Sequence, residues 1–256
     1  MSVDPLTAAT PAGTPFALLP PRPGPPGPAL LLFAMAAADT LLAQPYGRVG
    51  RLLHARGWTV ASLDLPCHGA DRRPGEPAEL AGWAACLAAG EDFVVPFRQR
   101  VDEVVAHLVA SGLADPGRLA AAGTSRGGFL ALHAAAGNPR IGAVAASAPV
   151  TDLLALTEFA GLEASLLARQ RAVAHAVDAL AGRAVWLTIG DGDQRVDTDR
   201  AVALARGLAR AAAARGLPSR VSLHVLPVPG HTSRPEWHDQ AAAWLQEAVT
   251  LPEVDP

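Results

Sequence analysis

Gly123-Thr124-Ser125-Arg126-Gly127-Gly128 lies between an apolar run, Arg118 to Ala122, and an alanine-rich stretch, Ser125 to Gly137, that reads as a helix. A G-x-S-x-G match carries weight only in that setting, where a strand turns sharply into a helix. The reason is steric. A serine on so tight a turn adopts a strained backbone, and its neighbours two residues away must be small. Gly123 and Gly127 meet that demand, and Gly128 lets the helix approach the sheet. The turn lifts the Ser125 hydroxyl above the sheet and sets the free N–H groups of a helix N-terminus beside it. The plain alternative is a glycine turn with a helix-capping serine, and the strand-turn-helix order favours the nucleophile. A phosphate loop fits poorly, because the Walker lysine is absent and no G-x-G-x-x-G occurs here.

Working outward, short apolar runs alternate with helical stretches. Strands are expected at Ala29–Ala34, Thr59–Leu63, Arg118–Ala122, Ile141–Ser147, Ala184–Ile189 and Val221–Pro227. Helices are expected over Leu41–Gly57, about Leu80–Ala89, Pro96–Gly112, Ser125–Gly137, Asp197–Gly216 and Pro235–Ala248, with Asp152–Gly182 mostly helical. This alternation predicts an α/β fold, a mostly parallel central sheet with helices on both faces. Ligands in such sheets bind beyond the carboxyl ends of the strands. Residues 1–28 are proline-rich and are expected to form an extended arm, with Thr14–Leu19 as one edge strand. Residues 29–256 form the domain proper, with a helical insertion at about 151–182.

Composition narrows the function classes. The net charge is −3 and 18% of residues are charged, with no basic tract, so nucleic acid is not an expected partner. All basic residues are arginine, which excludes a lysine nucleophile or Schiff base. Two cysteines, Cys67 and Cys86, are too few for a disulfide framework and are expected as reduced thiols. No basic and apolar leader opens the chain, and the run Ala29–Ala38 is too short to span a bilayer, so a cytoplasmic protein without membrane contact is expected.

A serine hydroxyl needs a base. Among the histidines after Ser125, His133 falls inside the following helix and points away, His175 reads as surface, and His224 lies within a strand. His238 reads as a solvated helix residue. His231, in Pro229-Gly230-His231-Thr232, follows the last strand at the correct end of the sheet. The acid should follow the preceding strand, in Gly190-Asp191-Gly192-Asp193-Gln194-Arg195-Val196-Asp197. Asp193 is placed to turn back on the imidazole. Asp191 suits a local turn, Asp197 suits a helix cap, and Asp152 is a further alternative. The cluster has no regular metal-loop spacing.

Three segments together resemble the α/β-hydrolase superfamily, and within it the dienelactone-hydrolase and prolyl-oligopeptidase-like groups. They are Asp64-Leu65-Pro66-Cys67-His68-Gly69, similar to a D-x-P-G-H-G loop; the turn at 123–128; and Gly190-x-x-Asp193-x-x-Val196 followed by Gly230-His231. The resemblance runs from about Ala29 to the C-terminus. It implies an α/β-hydrolase fold with a small helical lid, a Ser125–His231–Asp193 triad, and a structural role for His68. Many relatives carry His-Gly after the first central strand, where this chain has Phe33-Ala34-Met35-Ala36. The oxyanion donors expected are then the main-chain N–H of Arg126 and that of Ala34 or Met35.

The activity implied is hydrolysis of a carboxylic ester of a small molecule by an acyl-enzyme on Ser125, with no metal or organic cofactor. A serine peptidase or a non-catalytic binding protein of the same fold are the alternatives. A small-molecule ester is the expected partner, and a homodimer is left open. Segments 72–95, with Trp83 and Phe93, and 151–182, with Phe159, are candidates to roof the pocket. The Arg126 side chain is expected either to pair with a substrate carboxylate or to stiffen the turn through a salt bridge.

Overall fold

The computed structural model describes residues 4–250. Eight strands form one sheet: β1 (Leu6–Ala9), β2 (Pro15–Leu18), β3 (Ala29–Phe33), β4 (Thr59–Ser62), β5 (Leu119–Thr124), β6 (Ile141–Ser147), β7 (Ala184–Gly192) and β8 (Val221–Pro229). Their order is β1-β2-β4-β3-β5-β6-β7-β8. From β4 to β8 all neighbours run parallel, while β1 and β2 are antiparallel. Eight α-helices accompany them: α1 (Ala37–Leu42), α2 (Arg48–Ala55), α3 (Glu79–Ala88), α4 (Val94–Ala110), α5 (Arg126–Gly137), α6 (Leu166–Gln170), α7 (Thr198–Ala214) and α8 (Pro235–Thr250). None of the described helices is long and apolar enough to cross a membrane.

The central strands are apolar on both sides because both sides are covered. In β3, Ala29, Leu31 and Phe33 enter one core, with Phe97, Val101 and Phe129. Leu30 and Leu32 enter the other, with Leu53, Trp237 and Leu245. In β5, Leu119 and Ala121 face the first core, Ala120 and Ala122 the second. Small side chains there let α5 lie close against the sheet. The connection from β3 leads to β4 on one side, and the chain then returns to β5 on the other. That switch opens a crevice at the carboxyl ends of β3 and β5.

Three expectations are corrected. The described part of the expected arm, residues 4–28, does not stand outside the domain: β1 and β2 extend the sheet, and Phe16, Ala17 and Leu18 are buried. The expected helix Leu41–Gly57 is broken in two at Pro45, which has no N–H to donate and clashes with a preceding turn. The expected helical insertion at 151–182 holds only the five-residue α6 and short 3-10 turns. Tertiary ties hold it in that form. Val173 N–H donates to Thr151 O, the Arg171 guanidinium forks onto Asp92, and Gly161 adopts φ +88°.

Candidate active site

Ser125 stands between β5 and α5, with φ 53° and ψ −118°. A non-glycine residue at positive φ stores roughly 1–3 kcal/mol, which the surroundings must hold. Here Ser125 N–H donates to Ser147 O, and Ser125 O accepts from Val150 and Phe129 N–H. The two flanking glycines are required by contact. A Cβ at Gly123 would lie 2.2 Å from Gly127 O, and one at Gly127 would lie 2.0 Å from Phe33 O. Both obstacles are main chain, which cannot swing aside. Gly127→Ala is therefore expected to cost at least ~3 kcal/mol of stability, measured as a lowered urea midpoint; a midpoint like that of the wild type would contradict this reading.

The base arrives on the loop after β8. His231 Nε2 lies 2.9 Å from Ser125 Oγ, and His231 Nδ1 lies 2.8 Å from Asp193 Oδ2. With Nδ1–H donated to the carboxylate, Nε2 is left to accept the Ser125 proton. The other Asp193 oxygen accepts N–H bonds from Arg195 (3.1 Å) and Val196 (3.2 Å), and the residue is 2% exposed. Burial by itself would raise the Asp193 carboxyl. Hydrogen bonds from His231, Val196 and Arg195 and the electrostatic attraction of His231 outweigh it together and hold the group below its ordinary value.

The competing acids have other work. Asp197 caps α7, accepting from Asp199 and Arg200 N–H. Asp152 accepts from Leu154 N–H and pairs with Arg200. Asp191 is exposed, and the carboxylate bonded to the imidazole is that of Asp193. Of the other histidines, His175 is exposed, and His224 stands exposed against the Trp186 ring. His133 is buried, and its Nε2 lies 3.0 Å from Arg171 O. His68 is buried with Nδ1 2.8 Å from Pro66 O, consistent with a structural role.

His238 corrects an expectation. It is 2% exposed, not solvated, and its Nε2 lies 2.7 Å from Ser233 Oγ. Burial pushes both His238 and His133 down to about 4. Each is neutral in the fold and takes a proton more readily once unfolded. Their contribution is complete above about 6.5, the ordinary histidine value, and is lost as pH falls toward about 4. At full expression it is on the order of 3 kcal/mol each. The expected result is a steep drop in Tm between pH 7 and pH 4.5 that shrinks in His238→Gln; an unchanged slope in that variant would contradict it.

The oxyanion side is shaped by close main-chain contact. The Gly127 position lies against Phe33 O and Ala34 Cα, so the start of α5 and the end of β3 face one another. Arg126, first residue of α5, has an N–H with no partner inside the helix. Met35 is corrected as a candidate: its N–H donates to the buried Thr40 Oγ1 at 3.0 Å. Ala34 remains beside Arg126. The Arg126 side chain takes the structural option, with Nε donating to Ala34 O (3.1 Å) and Nη1 to Glu79 (2.7 Å). Asp64 braces the same region by accepting N–H bonds from Ala37 (2.7 Å) and Ala70 (2.8 Å). This supplies the start of α1, which has no side-chain cap of its own.

A cavity of about 230 Å³ opens over Ser125, lined by Ala34, Met35, Tyr46, Leu80, Arg195 and Thr232 among others. Trp83 and Phe159 are not part of it. Trp83 is fully buried, stacked on Phe93 with its indole N–H donated to Pro66 O, and Phe159 is 1% exposed in the core. Tyr46 and Leu80 were not legible as pocket residues. Leu80 came from one of the segments expected to roof the site, but Tyr46 carried no signal. Cys67 and Cys86 are free and buried. Burial and the neighbouring Cys86 push the Cys67 thiol up to about 12, far from a thiolate nucleophile.

Residues 95–251 match the model of the prolyl oligopeptidase family. No curated protein sequence matches the chain. Among solved structures it is similar to TT1662 from Thermus thermophilus, with TM-score 0.72, 19% identity, and 98% of this chain and 100% of that one covered. It is also similar to dipeptidyl peptidase 4 of Porphyromonas gingivalis, with TM-score 0.69, 15% identity and 95% of this chain, but only 35% of that one. The chain thus spans about a third of that peptidase. Acetyl xylan esterase 1 from Thermoanaerobacterium sp. aligns with TM-score 0.65 and 16% identity over 96% of this chain and 83% of that one.

Proposed function

The chain belongs to the prolyl oligopeptidase family, within the α/β-hydrolase serine hydrolases, and from that premise we propose that it cleaves a carboxylic ester of a small molecule through an acyl-enzyme on Ser125. The observation that carries this reading is the hydrogen-bonded line Ser125–His231–Asp193, at 2.9 and 2.8 Å. His231 Nε2 accepts the Ser125 proton as Oγ attacks the carbonyl carbon. The N–H groups of Arg126 and Ala34 receive the negative charge that develops on the carbonyl oxygen. His231 then returns its proton to the leaving alcohol. Water, deprotonated by the same imidazole, attacks the acyl group and releases the acid and free Ser125. Asp193 holds the imidazole tautomer and stabilises the imidazolium in both halves. No step calls for a metal or organic cofactor.

A peptide bond as substrate is the second reading, and the family match favours it. The cavity above Ser125, about 230 Å³, favours the ester of a small molecule, since it falls below the usual size range of ligand pockets. Hydrolysis of p-nitrophenyl esters of graded acyl length, beside aminoacyl p-nitroanilides, separates the two. The short-chain esters are expected to be the better substrates. Turnover of anilides with none of the esters would move the assignment to a peptidase.

A further inference from the structure

We propose that His238 is a positioning residue for the reaction: through its hydrogen bond to Ser233 it holds the loop that carries His231. The inference rests on the reading of Ser125, His231 and Asp193 as a hydrolytic triad. His231 lies in residues 230–234, between the end of β8 at Pro229 and the start of α8 at Pro235. The upstream end of this loop is held by main chain. A Cβ at Gly190 would lie 2.4 Å from Val228 O, and Gly230 N–H donates to Gly192 O at 3.2 Å. The downstream end is the first turn of α8, where Trp237 N–H donates to Arg234 O.

Between these ends, His231, Thr232 and Ser233 make no main-chain hydrogen bond among the described residues. A stretch without such bonds opens locally at little cost. Two side-chain bonds therefore set its shape. One is His231 Nδ1 to Asp193 Oδ2, at 2.8 Å. The other is Ser233 Oγ to His238 Nε2, at 2.7 Å.

The second bond has a firm anchor. His238 is 2% exposed, on a helix whose Trp237, Ala241 and Leu245 pack into the core. A buried imidazole is costly unless its nitrogens find partners. The next residue, Asp239, is not that partner, since its carboxylate forks onto Arg48 of α2. Ser233 is, and Ser233 also lines the cavity that holds Ser125 and His231. The connection thus runs from the core, through His238 and Ser233, to the base two residues away. Losing it frees His231 to drift from Ser125 Oγ, and a shift of about 1 Å in reacting groups can cost about a hundredfold in rate.

Steady-state hydrolysis of p-nitrophenyl acetate, read beside the proton resonance of His231 Nδ1–H in ¹⁵N-labelled protein, tests this. His238→Leu and Ser233→Ala are each expected to lower kcat about 10- to 100-fold with KM within a few-fold, and to broaden the His231 resonance beyond detection. His238→Gln sets an amide near the place of Nε2, keeps a bond to Ser233, and is expected to restore both kcat and the resonance. Asp239→Asn weakens the tie of the same helix to Arg48 and is expected to leave both unchanged. Should His238→Leu fail to fold, Ser233→Ala carries the test, since it removes one hydroxyl from a half-buried position. A Ser233→Ala protein with the wild-type kcat and a sharp resonance overturns the proposal, and so do equal losses in His238→Leu and His238→Gln. A wild type that hydrolyses no ester contradicts the proposed function instead, and the resonance, which needs no substrate, still decides the role of His238.

Discussion

Ser125→Ala is expected to lower kcat for a short-chain ester by about 10⁴- to 10⁶-fold while leaving KM within a few-fold. The argument is geometric. The hydroxyl oxygen is the atom that forms the new bond, and His231 Nε2, 2.9 Å away, is placed to take its proton. The fold should survive the change. Ser125 contributes to its surroundings chiefly through the main chain, donating to Ser147 O and accepting from Val150 and Phe129 N–H, and alanine keeps all three bonds. Alanine must still hold φ 53°, so a small loss of stability is expected, on the order of 1 kcal/mol. Stopped or steady-state assays with p-nitrophenyl acetate, alongside thermal unfolding, separate the two effects. A variant that folds and keeps more than a hundredth of the rate would remove Ser125 from the chemistry.

Asp193→Asn is expected to cost about 10⁴-fold in kcat at neutral pH. The amide nearly matches the carboxylate in shape, yet it can present an N–H to His231 Nδ1. That forces the proton of the neutral ring onto Nε2, the nitrogen that must accept from Ser125. The second oxygen of Asp193 accepts from Arg195 and Val196 N–H. Those donors fix the remaining amide oxygen on their side, so the NH₂ group is the one left facing the ring. Asp197→Asn provides the contrast. It alters a helix cap and an exposed ion pair with Arg200, and because asparagine caps a helix about as well as aspartate, its expected effect is a change in stability within about 1 kcal/mol with kcat retained. Equal activity losses in the two variants would mean that the acid has been wrongly chosen.

The parts of this molecule that sequence made legible are those where one requirement dominates. β3 and β5 are buried on both sides, and that alone demands uninterrupted apolar runs. The 123–128 turn was legible because contact at about 2 Å leaves no choice but glycine. Asp193 and His231 followed from their positions after strands. The segment from Asp152 to Gly182 was misread for an opposite reason. Its leucines and alanines favour helix locally, but Arg171–Asp92 and the His133–Arg171 contact come from residues far away in the chain. No local pattern reports them. His238 was misread because the loop residue that partners it, Ser233, lies outside the helix. Met35 looked like an oxyanion donor until Thr40, five residues on, was found accepting its N–H. The proline-rich start hid β1, whose four residues are too few for a pattern; the strand expected at Thr14–Leu19 is β2, which lies one place in from the edge.

The most direct test is labelling with a fluorophosphonate, which reacts only with a serine whose hydroxyl is activated by its surroundings. Intact mass should show one equivalent on the wild type, located on Ser125 by peptide mapping, and none on Ser125→Ala. His231→Ala should label at least a hundredfold more slowly. A wild type that does not label, or a Ser125→Ala variant that labels equally, would contradict the assignment of Ser125 as nucleophile.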